Sequence, residues 1–203
     1  MKSCTSDSFD RAIDRPDDFA PLTGAAQAMA HVGIPWGFAG GWAIDLFLGK
    51  ASRPHDDVDI AVFREDQTVL YDCLHGWDWS VVRSGRAQGW RGHWLEAPVH
   101  ELRARRRDGL ELEFLLNERD GPRWRYRRDP RVTAAIDQAV VRSGHYPALA
   151  PEIVLLFKSK HLRPKDHADF VAALPLLAAG ARQWLRSALA LTHPGHAWMS
   201  ALQ

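Results

Sequence analysis

The sequence predicts an α+β fold, a small mixed β-sheet with helices on one face followed by a C-terminal helical region. Two observations carry that expectation. Residues 36–39, 57–62, 77–82, 100–107 and 110–116 alternate or run apolar over strand lengths and are bounded by glycine, proline or aspartate. Beyond Ala148-Leu149-Ala150-Pro151 the strand signals stop, and apolar residues recur only at helical spacing. The expected division is therefore a flexible leader over 1–19, a sheet-containing core over 20–147 and a helical region over 148–203. A chain of 203 residues suffices for one good core plus such an appendage.

The elements follow in order. Residues 21–31 are expected to form a helix, with Pro21 in its first turn and Gly33 beyond its end. Trp36-Gly37-Phe38-Ala39 reads as a short strand, Gly40-Gly41 as a sharp turn, and 42–48 as a helix closed by Gly49. In Asp57-Val58-Asp59-Ile60-Ala61-Val62 the acids alternate with branched residues, the period of a half-buried strand. Residues 64–74 read as a helix ended by Gly76, and 77–82 as a strand. Residues 85–97 mix Gly, Trp and Arg without an assignable pattern. Asp108-Gly109 is a hairpin-turn signal joining 100–107 to 110–116, and 124–127 adds a strand. Helices are expected over 152–161, 165–179 and 182–191, with Pro175 kinking or ending the middle one.

Composition narrows the function classes. Apolar content of 46% and charged content of 25% are those of a globular protein, and a net charge of +1 speaks against wrapping a polyanion. Two cysteines, Cys4 and Cys73, make no disulfide framework or zinc spacing, so a cytoplasmic setting is expected. No run approaches 18 apolar residues and the N-terminus lacks an apolar signal region, so no membrane association is expected.

The chemistry concentrates in two places. Asp57 and Asp59 leave one face of their strand, roughly 6.6 Å apart along it. Two anions so close call for a cation between them, and Mg²⁺ takes carboxylates plus substrate phosphates as ligands. Upstream, a strand, the Gly40-Gly41 turn and a helix N-terminus offer backbone N–H groups and a positive dipole end to an anion such as a triphosphate. A third carboxylate is needed to deprotonate an acceptor hydroxyl. Glu113 and Glu111 share the polar face of 110–116, with Glu113 preferred and Glu111 the runner-up. Arg53 either neutralises phosphate or pairs with Asp45 to brace the loop. His55 reads as a hydrogen-bonded structural histidine, because it has no partner at zinc-ligand spacing. Lys158 and Lys165 lie on or between the C-terminal helices. Arg103, Arg105, Arg106 and Arg107, with Arg123, Arg125, Arg127, Arg128 and Arg131 interleaved by Trp124 and Tyr126, form the basic concentration. Such a pattern either grips single-stranded RNA or keeps strand edges from pairing.

Gly-Gly-Trp-Ala-Ile-Asp at 40–45 and Arg-Pro-His-Asp-Asp-Val-Asp-Ile at 53–60 together resemble the signature of the DNA polymerase beta-like nucleotidyltransferases. Within them the chain resembles the aminoglycoside 2''-O-nucleotidyltransferase and lincosamide nucleotidyltransferase family. The likeness is specific over 38–62 and weaker through Glu113 and 151–177. It implies a Mg²⁺-dependent nucleotidyltransferase that moves NMP, foremost AMP, from ATP or another NTP to a hydroxyl of a small acceptor and releases pyrophosphate. It also implies two Mg²⁺ ions held by Asp57, Asp59 and Glu113, and nucleotide contacts from Gly40, Gly41, Arg53, Lys158 and Lys165. The resembling enzymes usually carry Asp where this chain has Glu113, and Gly-Ser where it has Gly40-Gly41. The alternatives are a toxin-like enzyme acting on tRNA or protein and a degenerate, non-catalytic nucleotide-binding module.

Overall fold

Tight apolar burial defines the sheet. Phe38, Ile60 and Phe114, on three neighbouring strands, are wholly buried, each contributing about 1.5–3 kcal/mol relative to exposure. The computed structural model describes residues 18–83 and 86–203, so the leader expected over 1–19 lies outside the described residues except for Asp18 and Phe19.

Strand β1 (Trp36–Phe38) sits between β2 (Asp59–Phe63), antiparallel to it, and β10 (Tyr146–Leu149), parallel to it. A Cβ on Gly37 would lie 3.0 Å from the Ala148 backbone, so glycine there allows the close approach of β10. On its other edge β2 runs parallel to β6 (Glu111–Asp120), with Asp59 opposite Glu113. The remaining strands are β3 (Asp78–Arg83), β4 (Arg86–Gly89), β5 (Glu101–Arg105), β7 (Arg123–Arg125), β8 (Thr133–Ala135) and β9 (Val140–Ser143). The order is β4-β3-β5-β6-β2-β1-β10-β9, and β7 joins β6 to β8 off that path. Among the described residues the mixed sheet thus has ten strands and is larger than the sequence pattern suggests. The division expected at 147/148 falls inside β10.

Helix α1 (Ala20–Met29) buries Leu22, Ala25 and Met29, an i, i+3, i+7 stripe. Helix α2 (Gly40–Leu48) begins two residues earlier than expected, at the glycines themselves, and ends on Gly49 at φ +70. Residues 64–74 divide into a 3-10 turn, Arg64–Asp66, and α3 (Gln67–Cys73). A short α4 (Ile136–Ala139) links β8 to β9. In the C-terminal region α5 (Pro151–Lys158) buries Ile153 to Leu156 and packs on α2, α6 (Pro164–Ala173) and α7 (Ala179–Thr192). Pro175 falls in a 3-10 turn, Leu174–Leu176, that ends the middle helix as its ring requires. Trp124 and Tyr126, interleaved with arginines in the sequence, are buried in the core and offer no stacking surface.

Candidate active site

Three carboxylates converge where β2 and β6 lie side by side. The register sets Asp59 against Glu113, and the Glu113 amide donates to the Val58 carbonyl at 3.0 Å. Asp57 precedes β2 rather than lying in it. Its main chain is fixed from α2, where the Trp42 indole N–H donates to the Asp57 carbonyl at 3.0 Å. One oxygen each from Asp57, Asp59 and Glu113 can be chosen so that all three lie within 4.8 Å of one another. Glu111, the runner-up, is exposed and outside this cluster.

The acids repel each other, and Asp59 and Glu113 are partly buried while Asp57 is exposed. Burial and the Asp57 charge push the Asp59 carboxyl up to about 6, against the pull of Lys158. Burial, Glu101 and Asp59 push Glu113 up to about 8, although the Arg103 guanidinium stands 3.2 Å away. A hard oxygen donor set of this spacing suits a small divalent cation, which would relieve the repulsion.

The glycines are shaped by these neighbours. Gly40 has φ +59, and a Cβ there would sit 1.9 Å from Asp59 Oδ2. A Cβ on Gly41 would sit 2.3 Å from His55 Cε1 and 2.5 Å from Arg53 Nη2. Both residues open α2, whose first N–H groups have no intrahelical partner. Under them lies a buried brace: Asp45, fully inaccessible, holds His55 Nε2 at 2.6 Å and Ser52 Oγ at 2.5 Å, and the His55 ring packs on Trp42. Burial pushes the Asp45 carboxyl up, but hydrogen bonds from His55 and Ser52 outweigh it and hold the group below its ordinary value. Asp45 therefore partners His55 and Ser52, not Arg53, and His55 takes the structural place expected of it.

These groups line a cavity of about 310 Å³ between the sheet and the C-terminal helices. Gly40, Gly41, Arg53, Lys158 and Lys165 all border it, with Asp57, Asp59 and Glu113. So do Arg127, Arg128 and Arg163, which the sequence pattern did not single out for it, and an apolar wall of Leu149, Val154 and Phe157. Lys158 is not a free cation: its ammonium contacts Asp166 at 3.1 Å and Asp169 at 2.8 Å. Arg127 and Arg128 pack their guanidinium groups over the Phe157 ring, and Arg128 also donates to the Phe157 carbonyl. Arg103, Arg106 and Arg131 of the basic concentration are tied to Glu101 and Glu113, Asp108 and Asp129 respectively.

The sequence matches the aminoglycoside-2''-adenylyltransferase family over residues 22–172. The chain belongs to that family. It is accordingly a nucleotidyltransferase with a nucleoside triphosphate as substrate. No curated protein matches the sequence. Among solved structures, LnuA, a lincosamide antibiotic adenylyltransferase with lincomycin bound, is similar at 20% identity and a TM-score of 0.53, covering 75% of this chain and 93% of its own. The solution structure of the antibiotic-resistance factor ANT(2'')-Ia is similar at 18% identity and a TM-score of 0.54, covering 83% and 89%. Its complex with adenylyl-2''-tobramycin is similar at 17% and 0.52, covering 81% and 92%. At such identities the likeness is one of fold. Among the described residues of this adenylyltransferase-family chain, no helix is long and apolar enough to cross a membrane.

Proposed function

We propose that the protein transfers AMP from ATP, in the presence of Mg²⁺, to a hydroxyl of a small cationic acceptor of the aminoglycoside or lincosamide kind. The observation that carries this reading is the meeting of Asp57, Asp59 and Glu113 at the base of a cavity whose walls carry a helix N-terminus and several cations. The family and the antibiotics bound by the similar structures support the acceptor class. A second cavity, of about 270 Å³, adjoins the first and shares Asp56, Asp57 and Glu113 with it; Glu111 adds a fourth carboxylate there against the one cation Arg103, a negative balance suited to the amino groups of such an acceptor.

In this reading Gly40 and Gly41 present backbone N–H groups to the phosphates. Arg53, Lys158 and Lys165 neutralise them, and Leu149, Val154 and Phe157 take the base. Asp57, Asp59 and Glu113 would hold the metal, which when bound would stabilise charge on the α-phosphate and lower the pKa of the acceptor hydroxyl. Glu113 accepts the hydroxyl proton. Burial and the neighbouring acids raise its carboxyl to about 8, so the ionised form is a stronger base than an ordinary glutamate and its share grows as pH rises toward 8. The acceptor oxygen forms a bond to the α-phosphorus as the bond to the bridging oxygen breaks, and that electron pair leaves with pyrophosphate. The buried Trp124 and Tyr126 weigh against the alternative in which the basic segment grips RNA.

The test is incubation with α-labelled ATP, GTP, CTP and UTP against a panel of aminoglycosides, lincosamides and bulk tRNA, read by mass spectrometry. An AMP adduct on a small acceptor is expected. Label on tRNA alone, or on nothing, overturns the proposal.

A further inference from the structure

The cations of the cavity wall are held from behind by helix α6. Asp166 and Asp169, three residues apart, share one face of it and are both buried. Asp166 is committed to Arg163, at 2.6 Å, and to the Lys158 ammonium, at 3.1 Å. Asp169 stands differently. Its Oδ2 lies 2.8 Å from Lys158 Nζ and 3.6 Å from Arg53 Nη2, joining the end of α5 to the loop before β2. Neither Asp169 Oδ2 nor Arg53 Nε has a hydrogen-bond partner among the described residues. The contacts are those of charge holding charge, with one donor, Arg53 Nε, and one acceptor, Asp169 Oδ2, left without a hydrogen bond.

A carboxylate that is 4% exposed is costly to bury and is retained only where cations surround it. Lysine and arginine stems are flexible, and unpaired heads swing toward water. Two such heads at one cavity wall would spread apart by mutual repulsion unless an anion stood between them. Asp169 is that anion, and it leaves three cations against two carboxylates, a net positive face toward the acid triad.

We propose that Asp169 is a positioning residue for the nucleotide: it fixes the Lys158 ammonium, and with it the Arg53 guanidinium, where both meet the β- and γ-phosphates. The proposal rests on the nucleotidyl-transfer reading above. It says that Asp169 touches neither substrate nor metal and acts through Lys158.

The experiment measures calorimetric binding of ATP, ADP and AMP, with Mg²⁺, to the full chain and to Asp169→Asn. The wild type is expected to lose affinity from ATP to AMP; equal affinity for both overturns the triphosphate reading itself, and the proposal with it. In Asp169→Asn, ATP binding is expected to weaken about tenfold and AMP binding by no more than about twofold. The KM for ATP should rise more than kcat falls. Unchanged ATP binding, or an equal loss for all three nucleotides, overturns the positioning role while leaving the triphosphate reading in place. If Asp169→Asn does not fold, Lys158→Met and Lys158→Met/Asp169→Asn are compared. The double variant should bind ATP within about threefold of the single one, because coupled residues are not additive. A further tenfold loss there shows Asp169 acting without Lys158 and overturns the proposal.

Discussion

Gly40→Ala separates the demands of the active site from those of the backbone. The residue sits at φ +59, and a methyl added there would lie 1.9 Å from Asp59 Oδ2, where ordinary contact begins at 3.4 Å. Asp59 must therefore retreat by the difference, about 1.5 Å, because the opposing atom belongs to a short side chain with little freedom. A displacement of 1 Å in a reacting group costs about 10²-fold, so transfer should fall by about that factor or more. The left-handed backbone adds about 1–2 kcal/mol of strain for any residue with a Cβ. Gly144→Ala supplies the control: Gly144 has φ +60, and no atom lies within 4 Å of its added Cβ. Both variants should melt about 2–8 °C lower, yet only Gly40→Ala should lose activity. Pyrophosphate release at saturating substrates and thermal unfolding read the two effects. Wild-type turnover in Gly40→Ala, or an equal loss in Gly144→Ala, would refute the claim that this glycine serves the Asp59 carboxylate.

Other expectations follow from the same geometry. Glu113→Gln should slow transfer by about 10²–10⁴ with nucleotide affinity kept; a larger loss in Glu111→Gln would move the base to the neighbouring position. Trp42→Phe keeps the ring against His55 but removes the donor to the Asp57 carbonyl, so turnover should fall by about tenfold for a net stability loss of about 1 kcal/mol; unchanged turnover would separate Trp42 from the site. Because Asp59 and Glu113 bind protons more tightly folded than unfolded, their contribution to stability declines as pH rises from about 4 to about 8. Mg²⁺ should reverse that decline, raising the melting temperature more at the alkaline end, and a pH-independent effect of Mg²⁺ would contradict it. His100 is held down to about 4 by burial and by Arg127 and Arg64, so its share of stability is full above about 6.5 and lost as pH falls toward 4. A melting curve for His100→Gln with the same acid dependence as the wild type would exclude that share.

The local elements of the site were legible because each rests on nearby residues. Gly40-Gly41 announces a break before a helix, although the glycines open α2 rather than precede it, and Asp57-Val58-Asp59 carries its alternation, although Asp57 and Val58 stand before β2. What brings them to Glu113 is the parallel pairing of β2 with β6, a contact between segments some fifty residues apart that no local period encodes. The hairpin register shows the same limit. A two-residue Asp108-Gly109 turn would set 107 opposite 110, whereas the observed loop sets Arg105 opposite Glu111 and Arg103 opposite Glu113. That shift of one residue is why Arg103 and Glu101 reach the Glu113 carboxylate. Strands β8 to β10 were missed because they are short and Pro147 interrupts the last, although Ser143-Gly144 was a turn signal within reach. The wholly buried Asp45 ran against its polarity; only its two hydrogen-bonded neighbours, Ser52 and His55, explain it.

Metal-dependent transfer at Asp57, Asp59 and Glu113 is tested most directly by pyrophosphate release from ATP and an accepting aminoglycoside or lincosamide, with wild type and Asp59→Asn compared in Mg²⁺ and in excess chelator. Wild type should turn over in Mg²⁺ and stop in chelator, while Asp59→Asn stays folded and silent in both. Turnover by wild type in chelator, or by Asp59→Asn at the wild-type rate in Mg²⁺, would contradict the assignment of these carboxylates.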